Sequence, residues 1–349
     1  MSNTFQVIDG SILEGGGQIL RIASALSAIT SKSIQIDKIR QGRSKAGLRP
    51  QHLTGVKLVS DMSSAVCSGL TVGSQQVLMS PGPLQIRNIP YSADTGTAGS
   101  CVLLAQAALP CALYCSAQGT TTALTRMHLT GGTDAELAPP IGYMQHVLLP
   151  MLKRLLAVDA GARLERRGFY PKGGGRVMLE VAPLSPDAGC VSATPLLHAG
   201  DCLSAFQMES RGSIEEVRVF SFSGGKEPEE TAGLIAEGAL SRLSERFPRV
   251  SSTTEHDALA KGSGSGAVVV ARSEMGCILG ASAIGGPRKP ALEVGASRGG
   301  EAPPRGRARR VHRPVDAGPA HRIHGARAGP LVLFVGADHS PHRHCHAGG

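Results

Sequence analysis

Glu14-Gly-Gly-Gly-Gln18-Ile-Leu-Arg21-Ile-Ala-Ser-Ala-Leu-Ser-Ala28, followed by Ser33 to Ile39, decides the fold class. Ile19, Leu20, Ile22, Ala23, Leu26 and Ala28 recur at helical spacing directly after a glycine turn, and Ser33 to Ile39 alternates like a half-buried strand. The same order then returns. Asp94 to Ser100 is a turn of small residues, Cys101 to Ala108 reads as a helix, and Ala112 to Ser116 reads as a short strand. A third glycine turn, Gly173 to Gly175, precedes a strand at Arg176 to Val181. Recurring glycine turns, helices rich in small residues and short strands predict an α/β protein built from repeated units.

After Pro183 the character changes. Leu184 to Gly189 reads as a linker, Val217 to Phe222 as a strand, Glu229 to Arg246 as an amphipathic helix, and Ala267 to Ala271 as a strand after the flexible Gly262 to Gly266. This pattern predicts a small α/β domain inserted into the larger one. The expected division is 1–183 for the first part of the large domain, 184–278 for the insert, 279–295 for the return, and 296–349 for a tail without periodicity.

Composition narrows the class. The chain has 349 residues, 41% of them hydrophobic and 18% charged, which suits a globular protein with more than one domain. The longest apolar window, Cys101 to Cys115, is interrupted by Gln106 and Pro110, so no membrane span and no membrane partner are expected. Met1 to Gly10 lacks the basic start and apolar run of a secretory leader, and the eight cysteines have neither a CxxC pair nor zinc spacing. Both features predict an intracellular protein with reduced thiols. Of the net charge of +9, residues 296–349 supply +6, from nine arginines against three acids, so any anion site in the body must come from local clustering.

Two clusters qualify. Asp9-Gly-Ser-Ile-Leu-Glu14-Gly-Gly-Gly-Gln18 sets a carboxylate before a glycine-led helix start, where backbone amides can hold a phosphate and the carboxylate a divalent cation. The alternative is a plain tight turn, and no GxxxxGK[ST] is present to make a Walker-type site. Arg40-Gln-Gly-Arg43-Ser-Lys45-Ala-Gly-Leu-Arg49-Pro-Gln51-His52 gathers four cations in ten residues among glycine and proline. Such a loop can converge guanidinium forks on one phosphate, or it can be an ordinary solvated basic loop. Arg167-Gly-Phe-Tyr170-Pro-Lys172-Gly-Gly-Gly175 is a further basic glycine turn.

Together, DGSILEGGGQILR (9–21), KIRQGRSKAGLRPQHL (38–53), ADTGTAGS (93–100), GGTDAELAPP (131–140) and RGFYPKGGG (167–175) resemble the RNA 3′-terminal phosphate cyclase family over residues 5 to about 295. The resemblance implies a large domain of repeated βαβαββ-type units with the small inserted α/β domain. It also implies an ATP-dependent reaction on an RNA with a 3′-phosphate end. A histidine attacks the α-phosphorus of ATP, AMP passes to the RNA phosphate, and the neighbouring 2′-hydroxyl closes a 2′,3′-cyclic phosphate. On this likeness Glu14, Arg40 and Arg43 are catalytic, with Glu14 also contacting Mg2+ or Mn2+. Arg40, Arg43, Arg49, Gln51 and His52 meet RNA phosphate, and Gln106 and Pro139 fall in the ATP pocket. The implied location is the nucleus, in the nucleoplasm, for a eukaryotic protein and the cytoplasm otherwise.

The likeness stops in the tail, which has neither the family's QDQ-type helix nor its Leu-His-Thr-x-Thr motif with the nucleophilic histidine. Arg, Ala, Gly, Pro and His make up 40 of the 54 residues from Ala296, as expected of GC-rich codons read out of frame. One nucleotide downstream, codons for His312 to Ala328 can spell IDQWMQDQLIVFMALAQ, and those for Asp338 to His346 can spell TTLHTATAM. The nucleophilic histidine is then encoded but absent from this frame. The alternative is a basic tail that binds RNA through its phosphates. Two other functions compete. A noncatalytic cyclase-like ribosome-assembly factor is disfavoured by the intact Glu14 to Gln18 and Arg40 to His52 segments. An enolpyruvyl transferase would share the repeated units but act on small anionic metabolites.

Overall fold

The computed structural model describes residues 4–12, 16–116, 124–184 and 210–285. The first unit runs β1 (Gln6–Asp9), α1 (Gly17–Thr30), β2 (Ile34–Asp37), α2 (Pro50–Met62), β3 (Val66–Ser68) and β4 (Val77–Ser80). β1 and β2 are parallel, as a helical crossover allows, and β4 runs antiparallel to both β2 and β3, giving the order β1-β2-β4-β3.

A second unit repeats this plan. It comprises β5 (Tyr91–Asp94), α3 (Cys101–Leu113), β6 (Thr125–Gly131), a broken helix, β7 (Ala160–Arg166) and β8 (Gly175–Val181). The broken helix is α4 (Ile141–Tyr143), a π turn at Met144–Leu148 and α5 (Leu149–Leu156). The order β5-β6-β8-β7, with the same strand senses, makes both units βαβαββ. Their helices bury a shared core that includes Leu20, Val56, Val59, Leu104, Ala108 and Leu152.

In this core one sequence expectation fails. Ala112 to Ser116 is not a strand, because α3 continues through Pro110 to Leu113, and Ser116 makes only an isolated bridge to Gln85. A proline inside a helix costs about 3 kcal/mol. Here Leu109, Cys111 and Ala112 around it are all buried, and their packing outweighs that cost.

The third sheet holds β9 (Ile214–Gly224), α6 (Glu230–Ser244), β10 (Val250–Asp257), β11 (Gly264–Ser273) and β12 (Ile278–Ile284), in the order β10-β9-β11-β12. One face packs Val217, Val219 and Val269 on Ile235, Ala239 and Leu243 of α6. The other sets Val268 and Val270 against Val147 and Tyr143 of the second unit. Burial on both faces explains why β11 reads as an unbroken apolar run. Two glycines permit the approach. A Cβ on Gly142 would stand 3.2 Å from Val268, and one on Gly280 would press into the Tyr143 ring.

Residues 279–284, expected to return to the large domain, stay with this sheet. β12 pairs antiparallel with β11 from Arg272↔Ile278 to Gly266↔Ile284. The reason is a tight connection: Ser273 N–H donates to the Cys277 carbonyl at 3.0 Å over Gly276 at φ +71°, and so short a turn keeps the next strand adjacent. Most of the expected linker, residues 286–295 and the whole tail from 296 lie outside the described residues. Among the described residues no helix is long and apolar enough to cross a membrane.

Candidate anion site at the start of the first helix

α1 begins bare. Its cap residue, Gly16, has extended backbone and no side chain to bond the first-turn amides, and the first turn carries no acid. The positive end of the helix dipole and the first-turn N–H groups therefore receive no side-chain cap from this residue. Glycine at the next position leaves room for the cluster, since a side chain on Gly17 would displace the His52 ring and come within 3.0 Å of an Arg21 guanidinium nitrogen. Glu14 lies outside the described residues.

The arginine loop is hung between two buried side chains, Ile39 and Leu48. Gly47 N–H donates to the Ile39 carbonyl at 2.8 Å, and Gly47, at φ +77°, packs so tightly on the Gly73 carbonyl that no Cβ fits. Arg40 itself adopts a left-handed φ of +54°, and its Nε is buried without a partner. Burial, followed by repulsion from Arg43 and Arg49, lowers the Arg40 pKa. A cluster of like charges is held together here.

Arg49 caps α2, and its N–H donates to His52 Nδ1 over a long 3.4 Å. Burial, and then the charges of Arg40, Arg21 and Arg49, press the His52 pKa down to about 4. His52 is therefore neutral at pH 7, with Nδ1 accepting and Nε2 turned to Gly17. Because the folded pKa is below the unfolded 6.5, the unfolded chain binds the extra proton between pH 6.5 and about 4. Stability present above pH 6.5 is thus lost as pH falls through that window, by roughly 3 kcal/mol at most from this group. Urea midpoints of the parent and His52→Gln should converge as pH falls from 7 to 4.5; a constant difference would show that His52 does not titrate there.

Arg21 is the residue that sequence reasoning missed. It projects from the first turns of α1 back toward the helix start, the usual direction for a long helical side chain. Its Nε donates to Gln106 Oε1 at 2.7 Å, and burial lowers its pKa only to about 10, so it stays charged. The available signal was a single cation among the apolar and small residues of Gln18 to Ala28. Gln106, expected in the ATP pocket, thereby sits at the edge of the cluster. Pro139 lies beside Pro140, the cap of α4, and none of the described contacts ties it to the arginines.

Gln51 does something else. Its Oε1 accepts the Ser100 N–H at 2.7 Å, fixing the start of α3, where the Ser100 hydroxyl also accepts from Leu103 N–H. Arg40, Arg43, Arg49 and His52 thus gather with Arg21 at the bare helix end, while the Gln51 carbonyl serves the neighbouring one. Among the described residues no carboxylate pairs with Arg21, Arg40 or Arg49. The acid at the end of β1, Asp9, is already engaged. Hydrogen bonds from Ser11, then from Lys38 at 2.9 Å, lower its pKa to about 2. Guanidinium groups gathered at a helix start have the chemistry to receive a multiply charged anion. No three of His, Cys, Asp and Glu converge as metal ligands among the described residues.

A second polar centre lies where the third sheet meets the second unit. Arg167, buried, places one guanidinium nitrogen 2.9 Å from Asp134 and another 2.9 Å from Glu255, with its plane 4.1 Å over the Phe222 ring. Its own N–H donates to Asp257 at 2.6 Å. Burial raises the Asp134 pKa, against the pull of Arg167 and of the Thr133 hydroxyl. Burial acts to lower Arg167, but its two acidic partners, Asp134 and Glu255, carry it upward. One cation is shared by an acid of the loop after β6 and an acid of β10.

Comparisons with known proteins place the chain among its relatives. A family model described as RNA 3′-terminal phosphate cyclase matches residues 12–245, and one described as its insert domain matches residues 209–298. The chain is 38% identical over 300 residues to an RNA 3′-terminal phosphate cyclase of Nitrosospira multiformis, covering 84% of this chain and 76% of that protein. It is 38% identical over 291 residues to one of Staphylothermus marinus, covering 82% and 75%. It is 37% identical over 289 residues to one of Thermococcus onnurineus, covering 83% and 76%.

Proposed function

Because the chain belongs to the RNA 3′-terminal phosphate cyclase family, we propose that its cation cluster receives the phosphate of an RNA 3′ end and the phosphates of ATP. The observation that carries this reading is the gathering of Arg21, Arg40, Arg43 and Arg49 at the uncapped start of α1. A 3′-phosphate is a poor electrophile until AMP is attached to it. The 2′-hydroxyl oxygen then attacks that phosphorus, forms the ring bond and expels AMP. The work of Arg40 and Arg43 is to hold two mutually repelling polyanions in register and to stabilise charge on the attacked phosphorus. His52, neutral, donates from Nε2 rather than adding a further charge. Gln106 keeps Arg21 aimed at the site, and Gln51 keeps α3 beside it. Mg2+ or Mn2+ stays with the reading of Glu14, and Pro139 with that of the ATP pocket.

In this frame the histidine that would take AMP from ATP is missing, so we assign to the chain as it stands the binding steps rather than the full cycle. A 3′-phosphorylated oligoribonucleotide should bind more tightly than its 3′-hydroxyl counterpart. Charge-assisted bonds contribute roughly 1.5 to 3 kcal/mol each, so Arg40→Ala and Arg43→Ala should each weaken the 3′-phosphate complex at least tenfold. Fluorescence anisotropy with a labelled oligonucleotide reads both effects. Unchanged affinity in both variants would make the loop an ordinary solvated one.

A further inference from the structure

The basic glycine turn at 167–175 is not absorbed by the anion site, and it displays an aromatic ring in an unusual way. Tyr170 is 81% exposed, the only aromatic among the exposed large hydrophobic side chains of the described residues. Its base is rigid. Phe169, next to it, is buried and stacks on Phe222 at 6.3 Å, its N–H donates to the Lys261 carbonyl at 2.8 Å, and Gly173 N–H closes the turn onto the Phe169 carbonyl at 2.8 Å. Gly173, at φ +61°, lies so close on the Thr97 carbonyl that any side chain would collide with it. The turn is thereby fastened to the segment that leads into α3, whose Ser100 is held by Gln51 beside the arginine loop.

The turn that carries the ring also carries cations, while the nearby acids are occupied. Lys172 and Lys261 are exposed, the Lys261 stem passes over Gly174, and Arg166 donates to the Gly174 carbonyl at 2.7 Å. Glu255 and Asp257, the acids facing this turn, are engaged by Arg167. An exposed planar ring on a turn pinned by hydrogen bonds, with exposed lysines on and beside that turn, has the makings of a stacking platform for single-stranded nucleic acid.

We propose that Tyr170 stacks a base of the RNA upstream of its 3′ terminus, with Lys172 and Lys261 on the intervening phosphates. The proposal rests on the reading of the arginine cluster as the terminal-phosphate site, and it adds a subsite for the strand rather than for its end. Stacking on an aromatic side chain is sequence-tolerant, so the subsite would recognise length of single strand and not a particular base.

The test uses the full chain and a short 3′-phosphorylated oligouridylate, with its 3′-hydroxyl counterpart and uridine 3′-monophosphate as comparisons. Tyr170→Ala should weaken oligonucleotide binding by roughly 5- to 100-fold, equally for both 3′ ends, and leave the mononucleotide unchanged because it is too short to reach. Tyr170→Trp should bind at least as well as the parent. Parent-like oligonucleotide affinity in Tyr170→Ala, with discrimination between the two ends intact, overturns the platform while sparing the terminal-phosphate site. A parent chain that binds both ends alike overturns the terminal-phosphate reading, and the platform with it.

Discussion

Incubation with ATP labelled at the α-phosphorus should leave no label on this protein after denaturation, whereas a chain with its frame shifted one nucleotide downstream from about codon 296 should be labelled. In the proposed cycle a histidine nitrogen forms a bond to the α-phosphorus as pyrophosphate leaves, and a nucleophile must be held in line to do so. The tail holds seven histidines, but none stands in the family's Leu-His-Thr-x-Thr setting. His52, the imidazole inside the cluster, is committed through Nδ1 to Arg49 and faces Gly17 with Nε2. The expected difference is all or none. A labelled band from the chain as it stands, mapped to any tail histidine, would sink the out-of-frame reading.

The second large effect concerns Asp134. Removing one member of a buried ion pair leaves the other charge buried without compensation, which destabilises a protein by about 3–5 kcal/mol. Asp134→Ala should approach this at Arg167, leaving the buried guanidinium only the half-exposed Glu255 as an acidic partner. Glu255→Gln should cost less than about 1 kcal/mol, because Glu255 is 55% exposed and solvent already screens it. Denaturant midpoints of the two variants measure the contrast. Equal and small effects would mean that the contact between the third sheet and the second unit stands on its apolar face alone.

The repeated plan was legible because its signal is local. Glycine turns at 15–17 and 173–175 and apolar periodicity in Gln18 to Ala28 lie within single elements, and helix and strands appear where those patterns put them. The failures were nonlocal. The helix expected over Cys101 to Ala108 runs on through Pro110 because the burial that carries it comes from partners on α1 and α2. The place of β12 was invisible because pairing across a hairpin leaves little mark in its own residues. In the site, Arg40, Arg43 and Arg49 could be found as a run, whereas Arg21 joins them only through the α1–α3 contact with Gln106. The Gln51 role, a side chain accepting from an amide 49 residues away, left no pattern at all.

A doubled fold offers every feature of its first half a second time, including the helix start that gathers the cations. The counterpart of the Gly16 cap is the start of α3, but there a serine hydroxyl and the Gln51 carbonyl already take up backbone donors. Gln51 comes from the first unit, so one half of the duplication seals the site that the other half would have presented. Stoichiometry follows from this asymmetry. The molecule should saturate with one terminal phosphate per chain, and the two halves, though alike in topology, cannot exchange roles.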